Sequence, residues 1–282
     1  MAAAAERIGA SHSAVSMGIS DLESAAGGDL LIRTPRRKLQ LTELGSRIFN
    51  DARSVVDTAD RIESTFRAGL APSGTVHLSC FNPFSPFVVP DLMAAMAERA
   101  PGVELRVTED PVEQVFPGLL DGTFDVALLY EDRIPAGLEF EPITTHWPYV
   151  IVSAEHRLAG ADEIDLFDLE PDPFVYVKQR ERSYFERLIS ALGVHPVSQQ
   201  PTWNMDTVRT MVGRNEAWSI LIGPRPMGGA SPEGEPIRGV RIANDVPPGR
   251  PIMAWSTQVA RRPEVELVCD IIPDVFRASR MG

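Results

Sequence analysis

The chain has 282 residues, 44% hydrophobic and 23% charged, enough for two or more domains with buried cores. No run approaches the ~20 apolar residues of a membrane-spanning helix, and Glu6 and Arg7 interrupt the initial alanine run, so neither a membrane protein nor a secretory leader is expected and the chain reads as cytoplasmic. The net charge of −12 argues against a general nucleic-acid binder, but its distribution is uneven: residues 1–68 balance nine Lys/Arg against nine Asp/Glu, so the whole deficit lies beyond them.

Ala5–Gly9 reads as a helix stub ended by Gly9. Ser11 is placed to cap the next helix by accepting from its free N–H groups. In that helix Val15, Ile19 and Leu22 recur at i, i+4 and i+7, one apolar face that is expected to pack inward. His12, Ser13, Ser16, Met17 and Ser20 lie elsewhere on it, and in a helix-turn-helix its N-terminal end enters a major groove. Gly27-Gly28 stops the helix, and Leu30–Ile32 and Leu39–Leu41 read as two short strands. The turn between them holds Arg33, Arg36, Arg37 and Lys38, four positive charges in six residues, which suits phosphate neutralisation. A helical hairpin with a charged turn also occurs in proteins that never touch DNA, so spacing alone leaves both readings open.

Thr42 can cap a long helix with no proline before Pro72. Leu44, Ile48, Ala52, Val55, Ala59, Ile62 and Phe66 form a heptad-type seam, suited to a second helix or to the chain's own body. Residues 68–74, small and helix-breaking, read as a linker.

Beyond it, strand Thr75–Cys80, helix Phe87–Arg99, strand Val103–Val107, helix Val112–Leu120 and strand Phe124–Tyr130 imply a parallel sheet covered by helices. Ligands of such sheets sit beyond the strands' carboxyl ends, here Phe81–Ser85 and Tyr130–Asp132. A second set follows: strands Tyr149–Ser153, Phe174–Val177 and Trp218–Ile222, and helices Tyr184–Leu192 and Met205–Arg214. Pro224–Gly239 reads as a loop; strand Ile252–Ser256 and helix Glu264–Ala278 close the chain. Two α/β lobes with a ligand cleft between them fit this succession. Cys80 and Cys269 sit in apolar runs, as packing residues or a redox pair, with no zinc-type spacing. None of His12, His77, His146, His156 and His195 lies in an acid/base or metal-ligand motif, so no enzyme, metal or cofactor is expected.

Taken together, AERIGASHSAVSMGISDLE, LLIRTPRRKLQLTELG, SGTVHLSC with VVPDLMAAMAERAPGVELRV, LLDGTFDVALLY, AEHRLAG and TVRTMVGRNEAWSILIGPRP resemble, in this order, the LysR-type transcriptional regulators. Arg157 stands where the family usually has proline, and Asn215 and Ala217 replace a Gly-x-Gly. The resemblance implies a bacterial DNA-binding regulator, dimeric or tetrameric, with no membrane association. Its α/β effector domain of two lobes, periplasmic-binding-protein-like, follows an incomplete winged helix-turn-helix (1–41), a linker helix (42–68) and a hinge (69–74). Lobe I would comprise 75–150 and 250–282, and lobe II 151–249. DNA contacts would fall on Ser11, His12, Ser13, Ser16, Met17, Ser20, Arg33, Arg36, Arg37 and Lys38. A small-molecule effector, a carboxylate or an aromatic, would touch Asn82, Phe84, Ser85, Tyr130, Glu131, Lys178, Trp203, Asn204 and Gly223. The family often has arginine at the position of Met17, and a full helix before Ala5; without that helix the head is expected to be loosened, and the alternative is a ligand-binding module that no longer grips DNA.

Overall fold

The computed structural model describes residues 5–6, 9–33, 39–45, 47–49, 51–52, 55–56, 59, 72–178, 184–223, 226–258 and 261–278. The head contains helix α1 (His12–Ala26) and the antiparallel pair β1 (Leu31–Arg33) and β2 (Leu39–Leu41). Ser11 caps α1, its Oγ accepting from the Ala14 N–H at 3.1 Å, and Gly27 ends it in the left-handed region with its N–H on the Glu23 carbonyl. The Glu23 carboxylate then accepts from the N–H groups of Leu30 and Leu31, fastening β1 to the end of α1. The expected apolar face is not buried, however. α1 has no buried residue; Val15 and Ile19 are partly covered and Leu22 is 53% exposed.

Thr42 caps the following helical stretch through Gly45 N–H (2.8 Å), and residues 43–45, 47–49, 51–52, 55–56 and 59 are helical. Of the expected seam, Val55 is 69% exposed, Leu44, Ala52 and Ala59 are exposed and Ile48 partly so; Ile62 and Phe66 lie outside the described residues.

Lobe I is a five-stranded sheet of order β4 (Val103–Asp110), β3 (Gly74–Phe81), β5 (Val126–Tyr130), β14 (Pro251–Ser256) and β6 (Leu138–Pro142). β3 pairs parallel with β4 and β5, as the sequence implies; β14 and β6 complete it antiparallel. Central β3 is buried on both faces, whereas edge strand β4 begins in buried/exposed alternation. Helices α2 (Ser85–Arg99) and α6 (Pro263–Ala278) cover one face, packing Val88, Leu92, Val268 and Phe276 on Val76, Leu78 and Met253. α3 (Val112–Leu120) covers the other with Val115 and Leu119 on Leu129 and Ile252. Each such side chain contributes roughly 1.5–3 kcal/mol.

Lobe II differs from a second parallel sheet. β11 (Ser219–Gly223), β7 (Trp147–Ser153), β13 (Pro236–Ile242) and β12 (Gly229–Ala230) pair antiparallel in that order, and β8 (Glu163–Ile164) adds to β13 in parallel. β9 (Phe174–Val177) and β10 (Gln199–Thr202) form a parallel pair, and β9 touches the sheet through a bridge from Phe174 to Trp218. α4 (Tyr184–Leu192) packs on one face and α5 (Met205–Gly213) on the other. The stretch expected to be a loop therefore holds β12 and the start of β13. Gly239 permits this: a Cβ there would sit 2.6 Å from the Met227 carbonyl oxygen, so the segment before β13 folds back over it. β7 lies wholly in the second sheet, so a lobe boundary at 150 would divide a strand. The chain crosses earlier, where His146 and Gly249 exchange both backbone hydrogen bonds (2.8 and 2.9 Å).

Candidate functional site

Two regions carry the expected chemistry. On α1, Ser11, Ser13, Met17 and Ser20 are exposed, with His12, and Ser16 is partly so. The Ser11 and Ser13 hydroxyls are hydrogen bonded at 2.9 Å. Arg33 closes β1, paired with Leu39; Arg36, Arg37 and Lys38 lie outside the described residues. Met17 is 65% exposed.

The second region lies where lobe I faces lobe II. Three of its expected residues share the turn into α2, tied by Ser85 N–H to the Asn82 carbonyl at 3.2 Å. Asn82 is exposed, but Phe84 does not present the free ring expected of a ligand contact. Its ring is fully buried against Tyr130 (centroids 4.7 Å), Phe276 (5.6 Å) and Phe81 (5.8 Å), so it is core. Ser85 is also buried, and its hydroxyl donates to Glu109 Oε1 at 2.5 Å. Asp110 beside it accepts from Ser79 (3.0 Å) and Thr108 (2.6 Å), which leaves two carboxylates over the ends of β3 and β4.

Tyr130, at the end of β5, joins the lobes. Its hydroxyl is hydrogen bonded to Nδ1 of the buried His146 at 2.7 Å and lies 3.5 Å from the Ile222 carbonyl oxygen. Burial holds its phenol well above the ordinary range. Glu131 is held by Arg250, just before β14 (2.9 and 3.0 Å). Asp132 reaches Arg187 of α4 at 2.6 Å, an ion pair between the lobes. Both partners are partly exposed, so it contributes little stability, ~0–1 kcal/mol, and can yield as the lobes move.

On lobe II the Lys178 Nζ stands 5.6 Å from the centroid of the Trp203 ring, and Trp203 is 68% exposed. The Lys178 N–H to Thr202 carbonyl bond, at the ends of β9 and β10, brings the two together. Asn204 is a helix cap, its side chain accepting from the Asp206 N–H at 2.7 Å, and Gly223 is buried in β11 opposite Trp147. Their expected ligand roles therefore rest on backbone and on the ends of elements rather than on free side chains. Sequence reasoning missed the roles of His146, Arg187 and Arg250, whose partners lie 16 to 119 residues away.

Two concave regions lie elsewhere on lobe II. One of about 300 Å³ is bordered by His156, Arg157, Asp172 and Asn215. Here Arg157 finds its partners in the Asp172 carboxylate (2.8 Å) and the Asp168 carbonyl. The other, about 430 Å³, is bordered by Trp147, Pro148, Arg241 and Val246.

Cys80 and Cys269 are both buried and free. Burial, with Glu109 adding to it, pushes the Cys80 thiol to about 12, and burial pushes Cys269 to about 11. Since the folded values lie above 9.0, this protonation contributes stability that is intact below about pH 9 and is lost as pH rises through about 12 for Cys80. The thiolate is the reactive form. Ellman's reagent at pH 8 is accordingly expected to modify neither thiol until urea unfolds the chain; rapid stoichiometric reaction of the native protein would contradict the buried assignment.

Two family models match the chain: "LysR substrate binding domain" over residues 70–277 and "Bacterial regulatory helix-turn-helix protein, lysR family" over residues 1–46. A "probable hydrogen peroxide-inducible genes activator" of Mycobacterium xenopi is 31% identical over 56% of this chain and 83% of its own length. Its namesake in Mycobacterium avium is 30% identical over 62% of this chain and 57% of its own length. The crystal structure of HinK, a LysR family regulator from Pseudomonas aeruginosa, superposes with a TM-score of 0.67 at 26% identity, covering 96% of this chain and 91% of that one. The chain therefore belongs to the LysR family of bacterial transcriptional regulators, with a DNA-binding helix-turn-helix head and a two-lobed effector-binding domain.

Proposed function

We propose that this regulator responds to a small carboxylate bearing a planar ring, held on the lobe II side of the cleft by Lys178 and Trp203. The observation that carries this reading is the exposed ammonium–indole pair, a cation and an aromatic face presented together (5.6 Å). Lobe I supplies the converse argument. Its buried Ser85 hydroxyl is already engaged by Glu109, and Asp110 adds a second negative charge, so an anionic group is favoured on lobe II. Asn82, Tyr130 and Glu131 would form the opposing rim. A ligand bridging the rims would bias the lobe angle about the His146–Gly249 crossing, past the Tyr130–His146 bond and the Asp132–Arg187 pair.

In this reading Ser11, His12, Ser13, Ser16, Met17 and Ser20 face DNA and the basic turn from Arg33 to Lys38 neutralises phosphates. The exposed Leu44, Phe49, Val55 and Val56 of the linker helix suit pairing with a second copy. The protein works wherever the genome is and catalyses nothing itself. The description of the mycobacterial relatives invites a peroxide response; the buried, protonated thiols argue against thiol oxidation as its chemistry here.

A thermal-shift panel of aromatic and aliphatic carboxylates tests the reading. A ligand at a hundredfold its Kd stabilises by about 2.7 kcal/mol, which raises the midpoint by roughly 5–10 °C for a domain of this size. Lys178→Ala and Trp203→Ala are each expected to abolish most of that shift. An undiminished shift in both variants, or no shift with any member of the panel, would overturn the assignment.

A further inference from the structure

The face of α1 opposite Val15, Ile19 and Leu22 has an unusual chemistry for reading bases. His12–Ala26 contains no Arg, Lys, Asn or Gln, the residues that form paired hydrogen bonds to guanine or adenine in the major groove. Val15, Ile19 and Leu22 mark one side of the helix. At ~100° per residue, Met17 projects roughly 140–160° away from all three. Ser13 and Ser20, four residues before it and three after, share its face. Met17 is 65% exposed, an apolar side chain set among hydroxyls at the centre of that outward face.

A thioether has no donor for a phosphate oxygen and is only a weak acceptor for the amino groups of base edges. The one apolar feature on the floor of the major groove is the C5-methyl of thymine. The serines on either side can donate or accept at any base and discriminate little. From this arrangement we infer that Met17 is the specificity-determining residue of the head and reads a thymine methyl, while the basic turn supplies affinity without sequence preference. The inference rests on the placement of α1 in the major groove proposed above, and is independent of the effector assigned there.

The experiment selects the preferred duplex of the full chain from a random library, then replaces each thymine singly by deoxyuridine, which lacks only the methyl. Binding is measured at fixed salt, because affinities at different ionic strengths are not comparable. One thymine in each half-site is expected to show about a fourfold loss on replacement, the effect of a methyl-sized contact. Met17→Ala, which removes the contact from both half-sites, should bind the parent duplex about sixteenfold more weakly and show no further loss at deoxyuridine. Met17→Leu, which keeps the apolar contact, should retain the discrimination and guards against a folding defect in the first variant. Tolerance of deoxyuridine at every position by the native chain, or equal losses in Met17→Ala, would overturn the inference while leaving DNA binding intact. Absence of any salt-dependent retention would overturn it together with the placement of α1 on DNA.

Discussion

Replacing Arg262 by alanine is expected to destabilise the effector domain by about 3–5 kcal/mol, the cost of leaving a buried charge without its partner. One guanidinium nitrogen of Arg262 donates to the Thr75 carbonyl and to Asp125 Oδ1, both at 3.1 Å, and the other lies 3.3 Å from Glu264 Oε1. Glu264 is 1% exposed, and a Cβ built on Gly74 would stand 3.3 Å from its carboxylate. Asp125 in turn accepts from the His77 N–H at 2.8 Å. One side chain thus clamps the start of β3, the entry to β5 and the first turn of α6, at the point where the chain arrives from the linker. Loss of the cation would leave the Glu264 carboxylate, 1% exposed, without its charged partner. Urea unfolding should show a lower midpoint with an unchanged slope. Arg262→Ala/Glu264→Gln should recover part of the loss, because the neutral amide removes the orphaned charge; the two sites touch, so the effects cannot be additive. A loss below about 1 kcal/mol in the single variant would place this ion pair with the weak surface kind.

The legibility of the fold followed the kind of force that builds each element. Val112–Leu120 and Tyr184–Leu192 form helices with the bounds that their apolar spacing predicts, because that spacing is a local property. The parallel trio β3, β4 and β5 follows from the same alternation of strands with helices. β13 was hidden because Gly239 and the glycine- and proline-rich run before it read as a loop, whereas its strand character comes from pairing with β7, over 80 residues earlier. The inward packing expected of α1 failed for a related reason: periodicity names the face that wants cover, not whether anything covers it.

The site was legible by position and less so by role. Lys178 and Trp203 do stand together, since the ends of β9 and β10 are registered. Phe84 and Ser85 lie at the expected turn, but a residue at a helix start can face inward as readily as outward. Phe84 packs among three rings and Ser85 is claimed by a glutamate from β4. The crossing built from Tyr130, His146 and Gly249 has no sequence signature, because its three residues come from different passages of the chain.

Gly45→Ala is expected to weaken DNA binding by at least about fivefold while leaving the unfolding of the effector domain unchanged. Gly45 lies in the first turn of the linker helix, and a Cβ there would fall 2.0 Å from the Leu30 carbonyl oxygen and 2.9 Å from its carbon. Both obstacles are backbone, so neither can rotate away, and the helix must move bodily from β1. The same few residues carry the ties that such a movement breaks: Thr42 N–H to the Leu30 carbonyl at 3.0 Å and the Thr42 hydroxyl to the Asp29 carbonyl at 2.7 Å. Overpacking of this kind costs ~1–3 kcal/mol, and each 1.4 kcal/mol is a factor of about ten in affinity. The mutation touches no base or phosphate, so its effect should appear as a loss common to all duplexes, unlike the thymine-specific loss at Met17. Binding curves on the selected duplex and on an unrelated one separate the two cases. Native affinity in Gly45→Ala would mean that the head meets its DNA without the close seating of the linker helix on β1.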